Sequence, residues 1–336
     1  RTMLPGGDGG ATLRRAMAHS RPLASPGLRL VLLLTLAILL GVATMPLLKA
    51  LLEAGLPQWG PLADAVRLEP AAGEGSFTYD LGRISRRWLV LVLLLTFIAG
   101  RRLVPWGDLV REGMRRGPHA VASGTYGLVA GLALAAVYTA LLAVTGNVGW
   151  DPAGPAYLAR KIPEILVGAA LIGLLEEVFF RGVLFTAMLR DWGLAVALVV
   201  SNLIFAVLHG ISGGYRVAPG WDAGIGLELL RAYYTTDGSL WPDVRLVVGL
   251  VILGALLCLL LVRTGSLWAP IALHAALVFG TKLLKVFFDR GDDFPVWLLG
   301  DRLFMVSGVA AWAIMLVALP VVLLLAPRRP VSDVDP

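Results

Sequence analysis

Three ionisable residues interrupt an otherwise apolar stretch of the chain. Glu176 and Glu177 stand side by side, and Arg181 completes the run EEVFFR. Ionisable side chains at membrane depth are energetically costly, so they are rare there and usually serve a function. Two histidines lie in other apolar stretches, His209 in FAVLH and His274 in IALHAA. A carboxylate and two imidazoles, each on its own membrane helix, can build a hydrolytic site that activates water.

Helix geometry gives the two glutamates different roles. Neighbouring residues on a helix point about 100° apart, so Glu176 and Glu177 do not easily share one partner. Glu177 and Arg181 are four residues apart, the spacing at which helix side chains meet, and we expect an ion pair between them. Glu176 is then free to face a cavity, where a carboxylate can act as a general base or acid.

The spacing along the chain also brings Glu176 and His209 to a similar depth. The sequence predicts helices over 162–189 and 192–209, joined by a tight turn at 190–193. Counted from that turn at about 1.5 Å per residue, the two side chains come within roughly 5 Å of each other in depth. An antiparallel helical hairpin therefore places both in one site.

Three further residues are placed by the same counting. Phe205 and Asn202 precede His209 by four and seven residues, so they share its helix face. His274 lies about nine residues after the next turn, which makes it shallower. We expect it to join the site only if its helix is tilted or offset.

Two mechanisms are open to these side chains. In the first, Glu176 and His209 bind and deprotonate a water that attacks a peptide carbonyl, and His274 donates a hydrogen bond to the oxyanion. This mechanism needs no cofactor. In the second, Glu176, His209 and His274 ligate one zinc ion and leave a position for water. The pair of histidines four residues apart that many zinc proteases carry is absent from the sequence.

The composition places the chain in a membrane. Hydrophobic residues make up 57% of the 336 residues, charged residues make up 15%, and the mean hydropathy is +0.78. Soluble domains carry about 25% charged residues. The net charge of +6 forms no basic stripe or aromatic–basic patch, so we expect no nucleic-acid partner. The single cysteine, Cys258, excludes an intramolecular disulfide and a cysteine-based metal site.

The elements that position these residues are long apolar helices. A membrane-spanning helix requires about 20 mainly apolar residues. We predict an all-α, polytopic membrane bundle of about eight transmembrane helices. Their ranges are 30–48, 87–104, 120–146, 162–189, 192–209, 244–262, 267–288 and 303–327.

The predicted organisation has four parts. Residues 1–28 form a mobile cytoplasmic N-terminal segment, 29–150 hold the first transmembrane helices and loops, 151–290 form the catalytic membrane core, and 291–336 form the last transmembrane helix and a tail. The distribution of Lys and Arg favours a multi-pass protein of the cell inner membrane with both termini inside. Lys282 and Lys285 are expected at a helix end, where their side chains snorkel to the interface.

These residues resemble the motifs of the CAAX-protease and bacteriocin-processing family of intramembrane endopeptidases, which are EExxxR, FxxxH and HxxxN or HxxxD. The resemblance spans about 160–290 and includes FRG at 180–182 and GSLW at 265–268. It implies hydrolysis of a membrane-anchored protein or peptide within the lipid bilayer by a metal-free glutamate mechanism. The roles it implies are a catalytic Glu176, a structural pair of Glu177 and Arg181, a water-holding His209 and a His274 that supports the oxyanion.

One position departs from the family pattern. The third motif ends in Asn or Asp in the family and in Val278 here, whose side chain neither donates nor accepts a hydrogen bond. Asn202 and Thr281 are the candidates to replace it.

Two other functions stay open. Val278 favours a non-catalytic peptide-binding or immunity protein, and the buried carboxylate and histidines are compatible with the proton relay of a transporter. The sequence has no inverted repeat that would favour a transporter.

Overall fold

The computed structural model describes residues 25–55, 66, 69–70, 77–210, 215–233, 241–290, 295–300 and 306–328. Residues 1–24 of the predicted mobile segment lie outside this set. Within it, helices dominate and five strands are short. The helices are α1 Pro26–Ala43, α2 Met45–Gly55, α3 Leu81–Ala99, α4 Trp106–Arg111, α5 Pro118–Val144, α6 Pro155–Glu177, α7 Thr186–Gly210, α8 Ile225–Tyr233, α9 Trp241–Thr264, α10 Trp268–Phe287, α11 Val296–Leu299 and α12 Val309–Leu325.

Among these residues, five helical segments are long and apolar enough to cross a membrane. They are Pro26–Ala43, Pro118–Val144, Pro155–His209, Val244–Thr264 and Trp268–Phe287, and the apolar α12 is shorter. Helix α3 is not among the five, and its first two turns carry three arginines. The predicted all-α membrane bundle is confirmed, and the span number of about eight stays a prediction.

The first predicted span, 30–48, is two helices rather than one. Helix α1 begins at Pro26, within the segment predicted to be mobile, and Ser25 caps it. The chain breaks at Thr44, whose hydroxyl donates to the Leu40 carbonyl at 2.6 Å. Pro46 follows in the first turn of α2, where its missing N–H costs no hydrogen bond. Because proline cannot donate, it also ends the series of backbone hydrogen bonds of α1.

The segment from α6 to α7 folds back on itself. Gly193 adopts φ 77°, a left-handed conformation that glycine adopts without steric cost, and reverses the chain inside the predicted turn at 190–193. Before this reversal, the turns Val178–Phe185 are π-helical. A π-helical turn holds one residue more than an α-helical turn, and such turns often lie at functional sites.

Glycines let α10, the helix of His274, approach α5 and α6 closely. A Cβ built on Gly127 or Gly131 of α5 would lie 2.1 or 2.6 Å from a carbonyl oxygen of α10. A Cβ on Gly173 of α6 would lie 2.9 Å from a third carbonyl oxygen of the same helix. Small residues four apart are typical of tightly packed membrane helices. We call these three glycines and the carbonyls they face the glycine seam.

Strands lie outside the apolar helices. Strands β1 Glu69–Pro70, β2 Phe77–Asp80 and β4 Arg216–Val217 form one antiparallel sheet in the order β1-β2-β4, and β3 Val148–Trp150 pairs with β5 Phe288–Arg290. Lys49 of α2 is buried and bonds Glu53 at 2.7 Å, and Tyr79 of β2 donates to the same carboxylate oxygen at 2.7 Å. This network fastens α2 to the first sheet.

Candidate active site

Glu176 and His209 meet across the hairpin. Glu176 is next to last in α6, and His209 is next to last in α7. The distance from His209 Nε2 to Glu176 Oε2 is 3.1 Å, and each side chain is 27% exposed. The two residues that chain counting puts at one depth are therefore in hydrogen-bond contact.

The other ring nitrogen of His209 fixes its tautomer. Nδ1 lies 2.8 Å from the Phe205 carbonyl oxygen, which can only accept, so Nδ1 carries a proton. Nε2 and the Glu176 carboxylate are then joined by one proton, because two lone pairs would repel at 3.1 Å. The pair is either an imidazolium with a carboxylate or a neutral imidazole with a carboxylic acid.

Glu177, Arg181 and His274 form a buried network directly behind this pair. Arg181 Nη1 donates to Glu177 Oε1 at 2.8 Å, and His274 Nδ1 lies 2.7 Å from the same oxygen. All three side chains are almost completely buried. Because Glu177 faces a cation and accepts from it, the proton between Glu177 and His274 belongs to Nδ1. His274 Nε2 then faces Glu176 Oε2 at a distance of 3.8 Å. This distance is too long for a direct hydrogen bond but suits a bridging water.

Phe205 positions two members of this site. The Arg181 guanidinium carbon lies 4.3 Å from the centre of the Phe205 ring, within the range of a cation–π contact. The imidazole centre of His209 lies 4.2 Å from the same ring, and Phe180 packs edge-on against it at 4.9 Å. The Phe205 ring therefore separates the ion pair of Glu177 and Arg181 from the open side of the site.

Asn202 lies away from the two cavities that Glu176 and His209 line. It is buried, and its Oδ1 is 3.7 Å from Cys258 Sγ and close to Gly254, where a Cβ would lie 2.3 Å away. Asn202 is also absent from the residues that line the two cavities at Glu176. Thr281 does line a cavity, but its hydroxyl donates to the Leu277 carbonyl at 2.8 Å.

Two cavities share Glu176 and His209 in their walls. The first, of about 270 Å³, reaches along α10 past His274 to Val278 and Lys282. The second, of about 450 Å³, lies on the other side, between α1, α3 and α8. Both are lined mainly by aliphatic and aromatic residues. We call them the α10 cavity and the α1 cavity. Lys282 lines the α10 cavity, whereas the sequence predicts for it only a position at a helix end.

The side chains around Glu176 are also of the types that bind metal ions. Among the residues that the structure describes, no group of three or more His, Cys, Asp or Glu side chains is arranged to hold a metal ion. Both histidines use Nδ1 for protein hydrogen bonds, and both Nε2 atoms face the single oxygen Oε2 of Glu176. Hydrogen bonds at Nδ1 orient an imidazole whose Nε2 faces the site, whether that nitrogen meets a water or a metal ion.

Comparison with known proteins agrees with the motifs. Residues 158–280 match the family model described as type II CAAX prenyl endopeptidase, Rce1-like. Searches of curated proteins and of solved structures gave no significant match. The match covers Glu176, Glu177, Arg181, His209 and His274, and it confirms the resemblance drawn from the three motifs. Residues 158–280, about a third of the chain, are therefore similar to the Rce1-like family of CAAX endopeptidases.

Proposed function

We propose that this protein is an intramembrane endopeptidase that hydrolyses a peptide bond of a membrane-tethered protein or peptide. The observation that supports it best is the convergence of two imidazole Nε2 atoms on Glu176 Oε2, at 3.1 and 3.8 Å, at the junction of two apolar cavities. A structural ion pair does not require an oxygen that faces two cavities. The match to the endopeptidase family supports the same activity.

Glu176 is the proposed base. In the ionised pair, His209 Nε2–H donates to the Glu176 carboxylate and holds it beside the water. Glu176 takes one proton from the water, and the resulting hydroxide oxygen bonds to the carbonyl carbon of the substrate. When the tetrahedral intermediate collapses, the C–N bond breaks, and the proton held by Glu176 passes to the leaving nitrogen.

His274 is the proposed oxyanion donor. Its Nδ1–H is committed to Glu177, so its Nε2 can donate only when both ring nitrogens carry a proton. Glu177 is well placed for this role, because a carboxylate at 2.7 Å from Nδ1 orients the ring and faces the imidazolium. Val278, one turn along α10, adds no donor to this wall of the cavity. Asn202 is buried and lines neither cavity, which favours a structural role over contact with the substrate.

The test is cleavage of membrane-anchored peptides by the purified protein in lipid nanodiscs. We expect the wild type to cleave and Glu176→Gln to be inactive. Glu164→Gln, a change at an exposed glutamate on the same helix, should cleave as well as the wild type. A chelator separates the mechanisms. Cleavage that survives the chelator supports the glutamate mechanism, whereas loss with rescue by zinc supports zinc at Glu176, His209 and His274. Full activity of Glu176→Gln would contradict both.

Val278 favours a second candidate, a non-catalytic peptide-binding membrane protein. Its expected signature is equal binding of an anchored peptide by the wild type and Glu176→Gln, with no cleavage by either. Introducing the family residue through Val278→Asn would then be expected to raise cleavage above zero. No gain in that variant would favour the binding function further.

A further inference from the structure

A third cavity, of about 280 Å³, lies where α5 begins, and we call it the α5 cavity. One side is formed by the start of α5 and the chain before it, and the other by the turn between α9 and α10. A hydrogen bond of 2.8 Å from the Leu267 N–H to the Gly113 carbonyl joins the two sides. Unlike the α10 and α1 cavities, it is lined largely by polar and charged side chains, which are Glu112, Arg115, Arg116, His119, Thr264 and Ser266. The α5 cavity therefore suits a charged ligand.

The start of α5 offers two backbone donors to this cavity. The helix begins at Pro118, which has no N–H, and its first backbone hydrogen bond runs from Val121 to the Gly117 carbonyl. The N–H groups of His119 and Ala120 precede that bond, and no side chain of the described residues caps them. Both residues line the α5 cavity. Free N–H groups and the helix dipole at the start of a helix favour an anion.

A buried hydroxyl in the facing wall supports a ligand independently. Ser266 lines the α5 cavity from the turn between α9 and α10 and is 4% exposed. Its Oγ is buried and has no hydrogen-bond partner among the residues that the structure describes. The hydroxyl of Thr264, in contrast, donates to the Leu260 carbonyl at 2.8 Å. A buried hydroxyl without a partner costs free energy, and an acceptor oxygen in the cavity would remove that cost.

The charge around the α5 cavity is positive. Residues 100–117 include five arginines and two acidic residues. Arg115 and Arg116 are exposed at the cavity and form no ion pair with any residue that the structure describes. Glu112 also lines the cavity, and Arg190 Nη2 lies 4.0 Å from its carboxylate and offsets its charge. Guanidinium groups match the oxygens of a phosphate in two parallel hydrogen bonds.

We propose that the α5 cavity binds a phosphate group, as carried by an anionic phospholipid. Helix α5 is long and apolar enough to span a membrane, so its first residue lies at the depth of the headgroups. Basic pockets between membrane helices bind such headgroups. Ser266 precedes His274 by eight residues, about 12 Å at the rise of a helix, so this site is separate from the reacting centre. A bound phosphate would connect the start of α5 to the turn that leads into α10.

The experiment measures lipid binding to the purified full chain in a neutral detergent, by native mass spectrometry and thermal unfolding. We expect phosphatidylglycerol to bind about tenfold more tightly than phosphatidylcholine with the same acyl chains, and to raise the unfolding midpoint. Arg115→Gln with Arg116→Gln is expected to remove this preference. The matched control, Arg101→Gln with Arg102→Gln, removes equal charge from the same segment outside the cavity and should keep it. Ser266→Ala should weaken binding without lowering the midpoint in the absence of lipid, because the hydroxyl that it removes has no partner.

The two double variants distinguish a built site from a generally positive surface. Equal losses of binding in both, or an unchanged preference after Arg115→Gln with Arg116→Gln, would overturn the proposal. Inorganic phosphate identifies the source of the phosphate group. If it raises the midpoint of the wild type and not of that variant, while the two lipids bind equally, the phosphate site stands and its ligand is a free phosphate. None of these measurements requires cleavage, so their outcome is independent of the proposed peptidase activity.

Discussion

At the scale of single residues, Glu177 connects its ion pair with Arg181 to the imidazole of His274. One oxygen accepts from Arg181 on its own helix and from His274 on α10, in surroundings that exclude water. Removing one partner of a buried pair leaves an uncompensated charge and costs about 3–5 kcal/mol. We expect Arg181→Met to lower the free energy of unfolding in detergent by about this amount, measured by chemical or thermal denaturation.

The exposed pair on the same helix is the matched control. Lys161 and Glu164 are also bonded at 2.7 Å but remain accessible to water. Lys161→Met is expected to leave the unfolding midpoint within error of the wild type, because exposed ion pairs contribute little. Equal midpoints for Arg181→Met and Lys161→Met would contradict the structural role of the buried pair.

The side chains around Glu176 show which parts of the site could be predicted from the sequence. The contact of Glu176 with His209 follows from counting residues on either side of one turn, because the two arms of a hairpin must be neighbours. Asn202 shares the face of His209 by the same counting, but a face spans many neighbours, and its amide meets Cys258 instead of the cavity. The position of Lys282 depends on how α10 lies against α6, which no local pattern encodes.

At the scale of elements, the glycine seam sets the position of α10 and hence of His274. A Cβ on Gly131 would lie 2.6 Å from a carbonyl oxygen, and backbone cannot move aside as a flexible side chain can. We expect Gly131→Ala to displace α10, to destabilise the protein and to reduce peptidase activity by displacing His274. The unfolding midpoint and kcat measured together would show the coupled loss.

Gly124, about two turns before Gly131 on α5, provides the comparison. A Cβ there would lie 3.6 Å from Trp268 Cβ, an ordinary van der Waals contact. Alanine is favoured over glycine inside a helix by about 1 kcal/mol, so Gly124→Ala should leave stability unchanged or raise it slightly. If Gly131→Ala were as stable and active as Gly124→Ala, the seam would not position the site.

The helices themselves were largely predictable, and their ends were less so. Apolar runs over 120–146 and 267–288 correspond to α5 and α10 within a few residues. The run 30–48 is equally apolar, yet Thr44 and Pro46 divide it, because a backbone break depends on hydrogen bonds that hydropathy does not describe. The offset that allows His274 to reach Glu177 comes from contacts between helices.

At the scale of the whole molecule, α12 provides a test of membrane insertion. Val317 is the central residue of this helix and is 74% exposed, while Leu325 is its last residue and is 70% exposed. An arginine at the centre of a membrane helix costs about 3 kcal/mol of insertion free energy, whereas one at the end can snorkel. We expect Val317→Arg to reduce the fraction of α12 that inserts, and Leu325→Arg to have little effect.

The measurement is a glycosylation-site assay of insertion for α12 in the full chain. Similar inserted fractions for the two variants would show that α12 does not lie across the hydrocarbon core. The composition predicts a polytopic membrane protein, and the structure bears this out in five segments of sufficient length and the shorter α12. The number of spans is harder to predict, because a helix such as α3 combines a spanning length with arginines in its first turns.

The glycine seam also bears on how sequences related to this chain can diverge. On α5 and α6 the contact is made by hydrogen atoms of Gly127, Gly131 and Gly173, whereas on α10 it is made by backbone oxygens that every residue type possesses. Substitutions on the α10 side therefore leave the contact atoms in place, and substitutions of the glycines remove the space for them. Among relatives we expect three small positions to stay fixed opposite a helix whose facing side chains vary freely.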